Sequence, residues 1–124
     1  MAPEPEFVEF VRRHVRSVWA LELLLLLKRD PQRCWVAAEI VRELRASQSL
    51  VADNLAALLQ SGLVVLDDND CYRYAPAGPV LGRLCDQLEA AYAQRPVAVI
   101  NLIATPQDPI QSLADAFKFR GPGK

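Results

Sequence analysis

Residues 47–76, SQSLVADNLAALLQSGLVVLDDNDCYRYAP, decide how this chain folds. Leu50, Val51, Leu55, Leu58 and Leu59 recur at i, i+1, i+5, i+8 and i+9, which lines one side of a helix with apolar groups. Ser47 or Ser49 can cap its start by accepting a hydrogen bond from a free amide. Gly62 stands where a helix ends on a left-handed residue. Leu63-Val64-Val65-Leu66 and Cys71-Tyr72-Arg73-Tyr74 then flank the turn formers Asp67 to Asp70, a hairpin signal. The reading is a helix at about 47–61 running into a hairpin at about 63–75. From Ala46 to Tyr72 there is no Lys or Arg, while Asp53, Asp67, Asp68 and Asp70 lie inside.

Upstream, a helix is expected over about Ala37 to Arg45, with Ala37, Ile40, Val41 and Leu44 inward, preceded by an extended Cys34-Trp35. Pro5 to Lys28 reads as helix with Ser17 as a kink or restart; Phe7, Phe10, Val11, Val15, Val18 and Trp19 follow its three-four spacing. Leu21–Leu27 is apolar nearly all round and predicts the most buried helix, ended by Asp30-Pro31. Downstream, Gly78-Pro79 opens a helix with Leu81, Leu84, Cys85, Leu88, Ala91 and Tyr92 inward. VAVINLIA (97–104) is β-branched enough for a strand, but Pro96 is placed to start a helix, and helix is preferred. Asp108, Pro109 and Gln111 punctuate a last helix carrying Ile110, Leu113, Ala114 and Phe117.

With 124 residues, 52% of them hydrophobic and 23% charged, the chain can build an ordinary packed core. A formal charge of −1 gives no global attraction to nucleic acid or anionic membrane. Glu22 and Lys28 interrupt the leucine run before it reaches the ~18–20 residues of a membrane span. MAPEPEF lacks the pattern of a secretory signal, so a soluble cytoplasmic protein is expected. Cys34, Cys71 and Cys85 are odd in number, with no CxxC and one histidine, His14. A disulfide framework and a zinc site are therefore not expected, and each cysteine reads as a small buried hydrophobe. Nothing around His14 resembles a nucleophile–base arrangement, and no phosphate-cradling loop, cofactor motif or calcium loop is visible, so no enzyme, metal or cofactor is expected.

The ordered set LELLLLLKRDP, WVAAEIVRELRAS, LVADNLAALLQSGLV and the hairpin to YRYAP resembles the winged helix-turn-helix domains of bacterial transcription regulators. The resemblance covers about residues 17–76. It implies a mostly α fold with a small β-hairpin, helical extensions at 1–16 and 77–124, and a third helix that lies in the DNA major groove while the wing touches phosphate. Carried onto this chain, Ser47, Gln48, Ser49 and Asn54, with Asp53 and Ala57, face the DNA. Arg33, Arg42 and Arg45 flank them as candidate backbone contacts with Arg73 joining from the wing, or else Arg33, Arg42 and Arg45 are solvated charges paired with acids such as Glu39 and Glu43. Phe7, Phe10, Leu84, Leu88, Tyr92, Leu113 and Phe117 exceed what such a domain needs for itself. They suggest a homodimer interface, or extensions that fold back on their own domain. The terminal SLADAFKFR could also dock on another protein. The competing function is a winged helix that has lost DNA binding and contacts proteins. In winged helices the strand before the second helix pairs with the wing, which would bring Cys34 near Cys71 as a candidate thiol pair.

Overall fold

The computed structural model describes residues 4–104. Their order is α1 (Pro5–His14), α2 (Val18–Arg29), β1 (Trp35–Val36), α3 (Ala37–Leu44), α4 (Gln48–Gln60), β2 (Val64–Asp67), β3 (Cys71–Tyr74), α5 (Pro79–Gln94) and α6 (Pro96–Ala104). The chain is mostly helical, with one small antiparallel sheet in the order β1-β3-β2.

The long N-terminal helix divides at Ser17. Ser17 is extended (φ −155°) and its hydroxyl accepts the Ala20 N–H at 3.0 Å, capping a new helix. The restart shifts the helical phase. Val15 is fully buried beside the break, whereas Val18 and Trp19 are 37% and 41% exposed, so those two do not continue the inward stripe. In α2 all of Leu23 to Leu27 is buried, as the absence of a polar face requires.

The turn between α3 and α4 is made by Arg45, held in the left-handed region at φ 56°, with the Ala46 N–H donating to the Val41 carbonyl at 3.2 Å. Ser47 caps α4 by accepting the Leu50 N–H at 3.1 Å. At the other end Gly62 takes φ 78°. The Gly62 N–H donates to Leu59 and the Leu63 N–H to Leu58, at 3.1 and 3.0 Å, which satisfies the last carbonyls of α4. A Cβ on residue 62 would sit 3.2 Å from that of Ala77, so glycine serves both the turn and the close approach.

The hairpin is one residue tighter than the sequence suggests. Asp67 belongs to β2, and Asp70 supplies the left-handed residue at φ 57° that a short loop before a right-twisted strand requires. Val64 faces Tyr74 and Asp67 faces Cys71, while β1 adds Trp35 opposite Tyr72 and Val36 opposite Cys71. Residues 97–104 are helical.

One continuous cluster of buried residues runs from Phe7 through the leucines of α2, Ile40, Val51, Leu55 and Leu58 to Leu84, Leu88 and Val99. Helix α1 lies against α5 and α6, and α2 lies against α3 and α4. Polar clamps join these layers. Lys28 Nζ reaches Glu89 at 2.6 Å and Asp86 at 2.9 Å, both on α5. The Tyr92 hydroxyl donates to Glu22 at 2.8 Å, and Arg83 pairs with Glu6 at 2.9 Å. Burial alone would pull the Lys28 ammonium down, but its hydrogen bonds to Glu89 and Asp86 more than offset that and raise it.

Two expectations change here. The extensions fold back: Phe7, Phe10, Leu84 and Leu88 are buried within the chain's own core, and Tyr92 is half-buried and bonded to Glu22. An amphipathic stripe states only that a face must be covered, not by which chain. The cysteines are not three separate small hydrophobes either: Cys34 and Cys71 are joined as a disulfide, and only Cys85 is a free, buried thiol. Among the described residues no helix is long and apolar enough to cross a membrane. Leu113 and Phe117, with the helix expected from Asp108 onward, lie outside the described residues.

His14, at the end of α1, meets Ser61, at the end of α4, with Nδ1 2.9 Å from Oγ. Burial first, and then the Arg13 charge, push the imidazole below its ordinary value, against the pull of Glu9. A histidine that protonates less readily folded than unfolded favours folding above its ordinary value, and the contribution fades as pH falls through that value to the lower folded one. The urea midpoint should therefore drop slightly from pH 7 to pH 5, and His14→Gln should flatten that part of the profile.

Candidate nucleic-acid interface

Helix α4 turns Val51, Leu55 and Leu58 into the core and leaves Gln48, Ser49, Ala52, Asp53, Ala56, Ala57 and Gln60 exposed. The sequence pattern named part of this face and omitted Ala52 and Ala56, whose small side chains carry no chemical signal. Its N-terminal turn presents Gln48 and Ser49, with Ser49 Oγ 3.4 Å from Ser47 Oγ. Two side chains expected to read DNA have other employment. Ser47 is the N-cap, and Asn54 is half-buried, with one N–H of its amide donating to the Leu50 carbonyl at 2.9 Å.

The four arginines separate into two kinds. Arg33 stacks with its guanidinium 3.5 Å from the centre of the Trp35 ring and pairs with Glu39 at 3.2 Å. Arg73 donates from Nε to Asp67 at 3.1 Å. These two sit diagonally across β2 and β3, where long side chains on one face meet. Arg42 and Arg45 are exposed at the end of α3, immediately before α4. The Arg45 backbone N–H caps α3 by donating to the Val41 carbonyl, and among the described residues its guanidinium makes no hydrogen bond or ion pair.

Glu39 organises the start of α3. Its carboxylate accepts the Val36 N–H at 3.1 Å, closing the helix N-terminus, while Arg33 and Arg42 add positive charge. The backbone hydrogen bond, more than the arginines, holds the carboxyl below its ordinary range.

At the wing tip Asp68, Asn69 and Asp70 are exposed. Behind them, Cys34 Sγ lies 3.6 Å from Asp67 Oδ2. The Sγ atoms of Cys34 and Cys71 and the Asp67 carboxylate fall within 4.8 Å of one another. With the sulfurs bonded to each other, this cluster offers a cation a single carboxylate, which is not a metal site. Trp35 buries its indole Nε1 without a hydrogen-bond partner among the described residues. The elements that meet here are a helix with one exposed face, the exposed guanidinium groups of Arg42 and Arg45, and a β-ribbon.

The pairing of Arg33 with Glu39 agrees with the sequence reading of Arg33 as a charge paired with a neighbouring acid. Sequence reasoning missed the clamp of Lys28 and the engagement of Asn54 and Arg73. Of these, only Arg73–Asp67 left a signal, an opposite-charge pair at hairpin spacing. Comparison with protein-family models, curated proteins and solved structures yields no match to this chain.

Proposed function

We propose that the chain binds duplex DNA through α4 as a regulator of transcription of the winged helix-turn-helix type. The observation that carries the reading is the path of the backbone from β1 to β3. A short helix, a left-handed turn and an exposed helix are closed by a hairpin whose last strand pairs back to β1. That arrangement supports a helix held out from the body with a β-ribbon beside it, the geometry by which such domains enter a major groove. Gln48 and Ser49 are the base-edge contacts, and Arg42 and Arg45 the phosphate contacts. A homodimer would double the two free guanidinium groups per protomer. Its surface is not the Phe7–Leu88 set, which is already covered; an open hollow of about 440 Å³ between α1, α5 and α6, with Phe7, Val99 and Leu102 in its walls, is one apolar surface available to it among the described residues.

Arg45 gives a test in which stability and binding move in opposite directions. A non-glycine residue in the left-handed region costs on the order of 1 kcal/mol, and strain of that kind gathers at functional turns. Arg45→Gly should therefore raise stability by about 1 kcal/mol in urea titrations while weakening DNA binding in fluorescence anisotropy. Unchanged affinity in a more stable protein removes Arg45 from the interface.

A second reading has its own support. The exposed face of α4 from Ala52 to Gln60 is small, flat and free of cations, and the wing tip is acidic. Such a surface suits a basic protein partner better than phosphate, and it predicts no salt-dependent DNA binding at all.

A further inference from the structure

Cys34 and Cys71 occupy the junction between the wing and the helical body. The strand there is only two residues long, paired through Trp35 opposite Tyr72 and Val36 opposite Cys71. Their Cα atoms stand 5.3 Å apart, a separation that a disulfide spans without moving the backbone. Cys34 is half-buried and Cys71 is the more enclosed of the two, whereas Cys85 is sealed in the core. Asp67 serves two neighbours: Oδ2 is 3.6 Å from Cys34 Sγ and 3.1 Å from Arg73 Nε.

We propose that Cys34 and Cys71 form a reversible dithiol–disulfide site that exchanges with an external dithiol, and that its state sets how firmly Asp67 holds Arg73. Accessibility favours exchange at Cys34, next to the edge strand β1, since an attacking sulfur must reach the bond in line, which an edge position allows and a core position does not. One thiolate of the external dithiol attacks Sγ of Cys34, the more accessible sulfur. The Sγ–Sγ bond breaks, and the displaced sulfur leaves as a thiolate that takes a proton from solvent. The second thiolate of the reagent then cleaves the mixed disulfide and releases the other cysteine, which is protonated in turn. Two electrons and two protons pass to the chain, and the reagent becomes a disulfide; an oxidised reagent of the same class runs the sequence backward.

The consequence falls on Arg73. In the bonded form Cys34 has no hydrogen to donate, so it does not compete for Asp67. In the reduced form the Cys34 thiol can donate to Oδ2, and the Arg73–Asp67 bond is shared and loosened. The site stands independently of the DNA reading.

The full chain equilibrated in mixtures of reduced and oxidised dithiothreitol, trapped with iodoacetamide and mapped by peptide mass spectrometry, tests this. Cys34 and Cys71 should gain label together through one reversible transition, with Cys85 unlabelled until denaturant is added. Helical circular dichroism should be equal at both ends, and the Arg73 Nε–H resonance should shift with the transition. A pair that resists reduction until the protein unfolds, or that never crosslinks in the oxidised mixtures, overturns the site. An Arg73 resonance indifferent to the transition overturns its coupling to Asp67.

Discussion

Leu58→Ala should destabilise the chain by about 3–5 kcal/mol, the range for removing a buried leucine where surroundings collapse incompletely. Leu58 is fully buried on the inner side of α4, and its carbonyl also accepts the Leu63 N–H that closes the helix. Domains of this size are stable by roughly 5–15 kcal/mol, so one such change takes a large share of the total. The outer side of the same helix should behave in the opposite way. Ala52→Gln and Ala56→Gln are exposed substitutions and should stay within about 0.5 kcal/mol of the parent. Urea titrations followed by circular dichroism compare them directly. Equal losses on both sides would mean that α4 is covered on its outer face, and no surface would remain there for DNA or protein.

The second large effect concerns the bond between Cys34 and Cys71. It closes a loop with a sequence separation of 37, enclosing β1, α3, α4 and β2. On the chain-entropy account, a crosslink over a loop of that size stabilises by about 4 kcal/mol, and native disulfides commonly give 2–5. Reduction should therefore lower the urea midpoint markedly while leaving a folded protein. Cys34→Ser/Cys71→Ser should reproduce the reduced value and show no further response to reductant. A midpoint that ignores reductant would mean the crosslink constrains nothing in the unfolded chain.

The elements differ in how plainly the sequence announces them. The α4–Gly62–hairpin unit was legible because its punctuation is local. The spacing of Val51, Leu55 and Leu58 orients the helix, and one glycine at φ 78° both ends it and starts the hairpin. Ser17 was legible as a residue but not in its effect, because only its extended backbone reveals the phase shift that exposes Val18 and Trp19. The extensions were legible as amphipathic helices, yet the same stripe describes a helix that meets a partner and one that meets its own core. Phe7 and Leu84 do the latter. The cysteines show the limit most clearly. Odd number and wide spacing argued against a crosslink, while the expected pairing of β1 with the wing brought Cys34 and Cys71 together. The pairing was the stronger guide.

The candidate interface was less legible than the fold. Exposure of Gln48 and Ser49 follows from helical phase. Whether an arginine is free depends on non-local neighbours: Trp35 and Glu39 take Arg33, and Asp67 takes Arg73. What remains is Arg42 and Arg45, a small positive surface for a DNA-binding helix, and this sets a quantitative expectation.

Fluorescence anisotropy of the full chain on labelled duplexes tiling the DNA upstream of its coding sequence, repeated across a salt series, measures that expectation directly. With two free guanidinium groups per protomer, log K should fall against log salt with a slope of roughly −2 per protomer, each contact supplying about −0.9. Arg42→Ala and Arg45→Ala should each remove about one unit of that slope. Binding that is absent at low salt, or whose slope is untouched by both substitutions, would contradict the assignment of α4 and its preceding turn to DNA.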